Sequence, residues 1–406
     1  MEEHGVTQNN EKLMFAIGLI CGLLIFFIGA MIFCLAAGIK PGKILAHSND
    51  LTDRATLEKL ASIRRSIDEE FYRTDVEVDT LREGLYRGLV DALDDPYSVY
   101  YTEEEMGEIM ESIEGVYEGI GAYLMLAVDA DYPIITGTIA GSPAEAAGLQ
   151  ENDVLAEVEG ESTKGLDLST VVSRVRGEEG TVVELTILRD GKHMTVSIER
   201  AKIESPTVET EDPVDGIGYL RITEFDDVTP DQFSEGIADL QAKGMQGLLL
   251  DLRSNTGGNL DAVCEIADEL LPEGVIVYTL DRDGNREDFE SDGERSVDFP
   301  IVVLTNDYTA SASEILAGAI RDYGFGKLVG TTTYGKGVVQ RIYRLGDGSA
   351  LKLTVESYFT PSGFDLNGVG LSPDVEIEFD SDAYEKDKTD NQRDEAARVL
   401  RQLMKK

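Results

Sequence analysis

An α/β core carrying an inserted β-rich segment, with a helical arm and one apolar span ahead of both, is the architecture this sequence predicts. Three observations lead there. Strand-like and helix-like stretches alternate from about residue 203 to about 379, the pattern of a largely parallel sheet. Short strand-like runs with one or two helices occupy about 113–202, a change of period that marks a separate β-rich domain. Residues 13–39 form a run of 27 residues without a charge, and the apolar positions beyond it recur at helical spacing.

Residues 1–40 divide into a polar tail and that apolar run. At 1.5 Å per residue a helix of this length exceeds the ~30 Å hydrocarbon core, so it spans a bilayer with tilt. A secretory signal has only about 7–15 apolar residues, which favours an uncleaved single-pass anchor. The small residues Leu35-Ala-Ala-Gly38 keep cleavage as the alternative, and Ile39 after Gly38 rules out a lipoprotein cysteine. Lys12 on one side, and Lys40 and Lys43 on the other, specify orientation poorly.

Residues 41–112 read as a linker and helical arm. Leu57, Leu60, Ile63, Ile67 and Phe71 share one face, and 76–93 gives a second helical run. Within the core, 216–223 reads as a strand, 229–243 as a helix opened by Thr-Pro, and 247–252 as a buried strand before a helix at 259–271. A hairpin around Asp283-Gly284 covers 275–289; 300–305 is a strand, 311–323 a helix and 350–359 a strand. The segment 380–406 is a charged run, read as a solvated face, followed by a short helix at 393–404.

The formal charge is −42, of which residues 1–40 contribute −1 and the remainder −41. Such a surface disfavours nucleic acid and anionic headgroups, so no nucleic-acid partner is expected. The chain has no phosphate loop, dinucleotide fingerprint or metal-ligand cluster, so neither cofactor nor metal is expected. Cys21 and Cys34 lie in the apolar span, and Cys264 falls on an amphipathic pattern that reads as core.

The chemistry concentrates in Tyr308-Thr-Ala-Ser311-Ala-Ser-Glu314 and Tyr334-Gly-Lys336-Gly-Val-Val-Gln340. A serine attacks a carbonyl only when a neighbour removes its proton. The three histidines stand before the apolar span (His4), just after it (His47) and in a turn (His193), none of them a catalytic context. A lysine serves instead if burial lowers its pKa toward neutrality, which makes Ser311 and Lys336 candidates for a peptidase dyad. Each also has a bland reading: Ser311 as a helix cap, Lys336 as a turn lysine. Ligands of open α/β sheets sit beyond the carboxyl ends of the strands, where the runs before Arg253 and Asn306 both end. Ser311 at a helix N-terminus favours a developing oxyanion, with Ala312 N–H and one N–H from Gly257-Gly258 as donors; which glycine donates is open.

Leu250-Asp-Leu-Arg-Ser-Asn-Thr-Gly-Gly258, Ser311-Ala-Ser-Glu-Ile315, Thr333-Tyr-Gly-Lys-Gly-Val-Val-Gln340 and Gly88-Leu-Val-Asp-Ala-Leu-Asp-Asp-Pro-Tyr-Ser-Val-Tyr100 together resemble the carboxyl-terminal processing proteases, the tail-specific serine peptidases. The resemblance covers nearly everything after about residue 55 and implies a ClpP/crotonase-like core at 203–379. It makes Ser311, the first serine of Ser-Ala-Ser-Glu, the nucleophile rather than Ser313, and Gln340 a hydrogen-bond partner that orients Lys336. It implies a dimer through the helical arm, with packing on the chain's own protease as the alternative. It also places the catalytic domain on the extracytoplasmic side of the cell membrane.

Gly119-Ile-Gly-Ala122, Ser142-Pro-Ala-Glu-Ala-Ala-Gly-Leu149 and Asn152-Asp-Val-Leu155 follow the order of a PDZ domain, which binds a free peptide C-terminus as an added strand. Gly119, Ile120 and Gly121 suit the carboxylate-capturing loop, and Ile120, Val171 and Val175 the pocket for the last side chain. Arg176 matches an arginine that links occupancy to activation in the family; its other reading is an exposed arginine at a helix end. The function implied is a membrane-anchored serine endopeptidase acting on protein or peptide C-termini. The competing classes are an inactive PDZ scaffold and a non-peptide serine hydrolase, the latter weakened by the missing Gly-x-Ser-x-Gly elbow.

Overall fold

The structure, a computed structural model, describes residues 51–127, 130–294 and 297–405. The anticipated apolar span and His4 and His47 lie outside those residues. No helix among the described residues is long and apolar enough to cross a membrane. The chain divides into two compact units, one up to Arg82 and one from Glu83. The first contains α1 (Arg54–Glu70), capped by the Asp53 carboxylate on Thr56 N–H at 2.7 Å. None of its residues is buried. Helix α2 (Val78–Asp91) leads into the second unit.

There β1 (Val99–Tyr101) precedes α3 (Glu103–Glu114), which opens on a Thr102–Glu105 capping box and ends on Gly115 at φ 66°. The β-rich segment comprises β2 (Val116–Gly119), β3 (Ala122–Met125), β4 (Ile134–Thr138), α4 (Pro143–Ala146), β5 (Val154–Val158), β6 (Glu161–Ser162), α5 (Leu168–Val175), β7 (Val182–Arg189), β8 (Lys192–Glu199) and β9 (Ala201–Glu204). Its sheet runs β3-β4-β5-β7-β8, with β3 at one edge. Ile135, Leu155, Val183, Leu185 and Ile187 fill its interior. His193 stands on β8 rather than in a turn, because Asp190 and Gly191 (φ 51° and 72°) make the hairpin turn before it.

The core sheet runs β10 (Val208–Val214), β11 (Ile217–Ile222), β12 (Gly247–Asp251), β15 (Ile301–Thr305), β16 (Gly326–Gly330), β19 (Val375–Glu376). All neighbours except β10–β11 are parallel. Between these strands come α6 (Thr229–Ala242), α7 (Leu260–Leu270), β13 (Gly274–Asp281), β14 (Arg286–Ser291), α8 (Ala312–Asp322), β17 (Val338–Arg344) and β18 (Ala350–Phe359); α9 (Ser381–Asp387) and α10 (Asn391–Leu403) follow. A second, antiparallel sheet runs β1-β18-β13-β14, with β17 also on β18. Strand alternation sorts the core: Leu248 and Leu250 join the residues of α6–α8, while Leu249 joins Ala396, Val399 and Leu400 of α10.

Residues 381–389 are exposed apart from half-buried Ala383, as a solvated charge run should be, while Asp390 and the helix after it pack on the core. Asp390 accepts Arg253 Nη2 at 2.8 Å, Gln392 Nε2 donates to Ile377 O at 2.8 Å, and Leu400 is fully buried on the sheet. Leu400→Ala should lower stability by about 2–5 kcal/mol, measured by urea unfolding, since a buried leucine leaves a cavity behind.

Candidate active site

Three loops at the carboxyl edge of the core sheet are stitched together before any reactive side chain enters. After β15, Asn306 Oδ1 accepts from Ser254 N–H at 2.8 Å, Thr309 Oγ1 donates to Leu252 O at 2.9 Å, and Ala310 N–H donates to Asn255 O at 3.0 Å. Ser311 follows as the N-cap of α8, at φ 56° and ψ −117°. An L-residue there carries backbone strain of about 1–3 kcal/mol, sustained only because its surroundings fix it. Its carbonyl accepts from Tyr358 Oη at 3.1 Å, and its N–H donates to Glu314 Oε2 at 2.9 Å. Ser313, two residues on, is fully buried and its hydroxyl donates to Asn255 O at 3.1 Å.

The two glycines of the β12 loop do different things. A Cβ on Gly257 would stand 2.7 Å from Ser311 Cβ and 2.9 Å from Ala312 N, so its absence leaves open the space beside the helix N-terminus. Its N–H is spent on Asn255 Oδ1 at 2.8 Å. A Cβ on Gly258 would instead strike Phe225 O at 2.2 Å, where the chain passes close beside Phe225. Among the described residues, the N–H groups of Gly258 and Ala312 have no acceptor. Gly257→Ala should reduce kcat/KM by roughly 10²–10³-fold, checked by steady-state kinetics, because the methyl group occupies the space where an oxyanion would meet Ala312 N–H.

Lys336 sits in a loop packed against 366–370. A Cβ on Gly335 would lie 2.7 Å from Gly370 N, and one on Gly337 2.7 Å from Asn367 Cβ, so the flanking glycines allow this close approach. The lysine is half-buried, with Nζ 4.9 Å from the centroid of the Tyr97 ring. Burial, helped by the charge of Lys352, pulls its pKa below the ordinary lysine value, against the opposing pull of Glu314 and Asp95.

Glu314 joins the serine to the lysine. Fully buried, its Oε2 accepts from Ser311 N–H and from Lys336 N–H, both at 2.9 Å. Its Oε1 accepts from Gly335 N–H at 2.8 Å and from the Thr333 hydroxyl, which itself accepts from Leu371 N–H at 2.7 Å. The sequence shows only a glutamate at the third helical position, the spacing of a capping box. Nothing local shows that a second loop arrives to share the carboxylate.

Gln340 does not meet the lysine. Its Nε2 donates to Thr354 Oγ1 at 3.2 Å, and it makes no hydrogen bond to Lys336 among the described residues. A bulge between Val339 and Gln340 sets the amide opposite Thr354 of β18. Cys264, half-buried on α7, has its thiol pushed up to about 12 by burial, consistent with packing rather than nucleophilic chemistry.

In the β-rich segment, Gly119 ends β2, and Gly121 turns into β3 at φ 75°, where a Cβ would lie 2.4 Å from Ser142 Cβ. The Ile120 carbonyl accepts from Ala144 N–H at 2.8 Å, and no described residue accepts from the Ile120 or Gly121 N–H. Ile120, Val171 and Val175 are brought together, all buried in one cluster beside edge strand β3. Arg176 is an exposed arginine at the C-cap of α5, as one of its two readings has it, and it also pairs with Glu111 of α3 at 2.6 Å and lies 4.7 Å over the Tyr117 ring. A cavity of about 680 Å³ lies elsewhere, and its central charges are paired: Arg253 with Asp251 and Asp390, Arg393 with Glu211.

Residues 216–377 match the model of peptidase family S41, residues 134–189 that of a PDZ domain, and residues 22–105 that of the activating protease CtpB N-terminal domain. The chain is similar to the carboxy-terminal processing protease CtpA of Bacillus subtilis (strain 168), with 35% identity over 337 residues, 82% of this chain and 72% of the relative. It is also similar to a probable CtpA-like serine protease of Staphylococcus aureus (strain MSSA476), with 35% identity over 330 residues, 80% of this chain and 66% of the relative. Among solved structures, the photosystem II D1 C-terminal processing protease is 30% identical, covering 78% of this chain and 86% of that one, at a TM-score of 0.46.

Proposed function

Because the chain belongs to peptidase family S41, as a carboxyl-terminal processing serine protease with a PDZ domain, we propose that it cuts peptide bonds with a Ser311–Lys336 dyad. The observation that carries this reading is the shared Glu314 Oε2, which fixes the backbone of both residues from one buried atom. Neutral Lys336 Nζ takes the Ser311 Oγ proton as Oγ bonds to the scissile carbonyl carbon. The resulting oxyanion is bound by the Ala312 and Gly258 N–H groups, with Gly257 keeping the space clear. The lysine then gives its proton to the leaving amine, and water hydrolyses the acyl-enzyme by the same exchange in reverse. Gln340 in this reading joins Lys336 only after its amide leaves Thr354.

The substrate is a protein or peptide with a free C-terminus, added to β3 with its carboxylate on the Ile120–Gly121 loop. The free edge of β3 and the acceptor-less N–H groups support this. Arg176 couples occupancy of that groove to the core, and its ion pair with Glu111 supports such a linkage. The enzyme acts from a membrane anchor at 13–39, with its catalytic domain extracytoplasmic, and pairs with a second copy through the arm that contains α1.

The test compares the full chain, Ser311→Ala and Arg176→Ala in detergent, on an unfolded protein with an apolar C-terminus. Cleavage by wild type alone, lost when the substrate's C-terminus is amidated, supports dyad and tail recognition together. Tight tail binding without cleavage by wild type points to the PDZ scaffold instead. Full activity of Arg176→Ala removes the coupling.

A further inference from the structure

The proton transfers above use Lys336 and leave its neighbour Tyr97 without a role. Tyr97 comes from the turn between α2 and β1, far from the lysine in sequence, yet its ring centroid is 4.9 Å from Nζ. The turn is held firmly. The Asp95 carboxylate accepts from Tyr97 N–H at 3.2 Å and Ser98 Oγ at 2.5 Å, and it also binds the Thr354 hydroxyl. Ser98 Oγ accepts from Thr354 N–H at 3.1 Å, and just beyond, Val99 of β1 pairs opposite Lys352 of β18. The ring is therefore anchored to the strand beside the one that Lys336 leads into. Its hydroxyl is bonded to Tyr334, two residues before the lysine.

We propose that Tyr97 is a positioning residue for Lys336, its ring closing the side of the lysine pocket through which water would reach the amine. The 95–98 turn holds it in place. This rests on the Ser311–Lys336 reading. Two effects of the ring oppose each other: an aromatic face attracts an ammonium, while exclusion of water penalises the charge. The groups facing the amine decide between them. Burial is the foremost cause of the lysine's depression and Lys352 on β18 adds to it, while Glu314 on α8 and Asp95 in the turn oppose it. The nearby phenols add no negative charge near neutral pH: burial and the Tyr334 bond push Tyr97 up to about 12, and burial raises Tyr358 well above the usual range. The ring, 4.9 Å from Nζ, is part of the burial that lowers the lysine, so removing it should return the lysine toward its ordinary basicity.

The experiment follows the pH dependence of Ser311 labelling by a fluorophosphonate probe, using the full chain in detergent. Tyr97→Phe should keep the wild-type midpoint. Tyr97→Ala should move it upward by about one pH unit and slow labelling roughly tenfold at pH 7, because water now stabilises the ammonium. If Tyr97→Ala fails to fold, Tyr97→Leu carries the test: it excludes water but lacks the aromatic attraction for the ammonium, so its midpoint should fall below that of wild type. A uniform loss of rate with an unmoved midpoint in Tyr97→Ala, or an unmoved or raised midpoint in Tyr97→Leu, overturns the proposal. Lys336→Ala labelled at the wild-type rate would sink the dyad itself, an outcome separate from either Tyr97 result.

Discussion

Lys336→Met should lose at least about 10⁴-fold in kcat while binding peptide C-termini as before, because it removes the only group proposed to take the Ser311 proton. Steady-state kinetics and a peptide-binding titration check the two halves. The wild-type pH profile carries the same signature. Activity needs the neutral amine, so it rises with pH through the lysine's folded pKa, which burial holds below the ordinary value. The stability effect has the same sign. Between the depressed folded pKa and the unfolded one, the unfolded chain holds a proton that the folded chain does not, so this group makes stability rise with pH across that window. Below the folded pKa the protein bears the full cost of a half-buried ammonium. Lys336→Met removes that cost and should melt higher than wild type at neutral pH. A Met variant that is both active and less stable would contradict both arguments.

Glu314→Gln should be the most damaging isosteric change in the core. The carboxylate accepts from four donors: the N–H groups of Ser311, Gly335 and Lys336, and the Thr333 hydroxyl. A glutamine keeps one acceptor oxygen and turns an NH₂ on two of those donors, at a fully buried position. Two buried donors left unpaired cost about 2–5 kcal/mol, to be read from urea unfolding. The loops carrying serine and lysine then lose their common anchor, and kcat/KM should fall about 10²-fold or more. Wild-type stability and activity in Glu314→Gln would show that the two loops are positioned independently.

Much of the core was legible because its strands are short, wholly apolar and punctuated. The buried run Gly247–Asp251 and the strand Ile301–Thr305 stand out from flanking turn residues, and a parallel sheet covered on both faces produces such runs. The strand Ala350–Phe359 was equally plain. Less visible were Gly326–Gly330, whose two glycines disguise it, and Val338–Arg344, a strand with no fully buried residue. In the site, the reactive residue types were legible from local motifs, but their partners were not. Nothing local marks Glu314 as a shared anchor or Tyr97 as a neighbour of the lysine, and Gln340, which the resemblance makes a lysine partner, donates to Thr354 instead. The charged run before α10 is exposed over 381–389, apart from half-buried Ala383, as its composition suggests, but its last residue is not. Asp390 has its partner, Arg253, 137 residues away, and composition carries no record of such a pairing.

Helix α10 also sets an order of events during synthesis. A ribosome delivers residues from the N-terminus at about 5–20 per second, and domains fold as they emerge. One face of the parallel sheet is covered by Ala396, Val399 and Leu400, which emerge after every strand they cover. Until they arrive, Leu249, Val302, Leu304 and Val329 face water, and Arg253 lacks Asp390. The nascent enzyme can therefore hold its serine and lysine loops in full and still be an unfinished fold. A chain built this way has a window, lasting until residues 391–403 have emerged, in which that apolar face is open to chaperones.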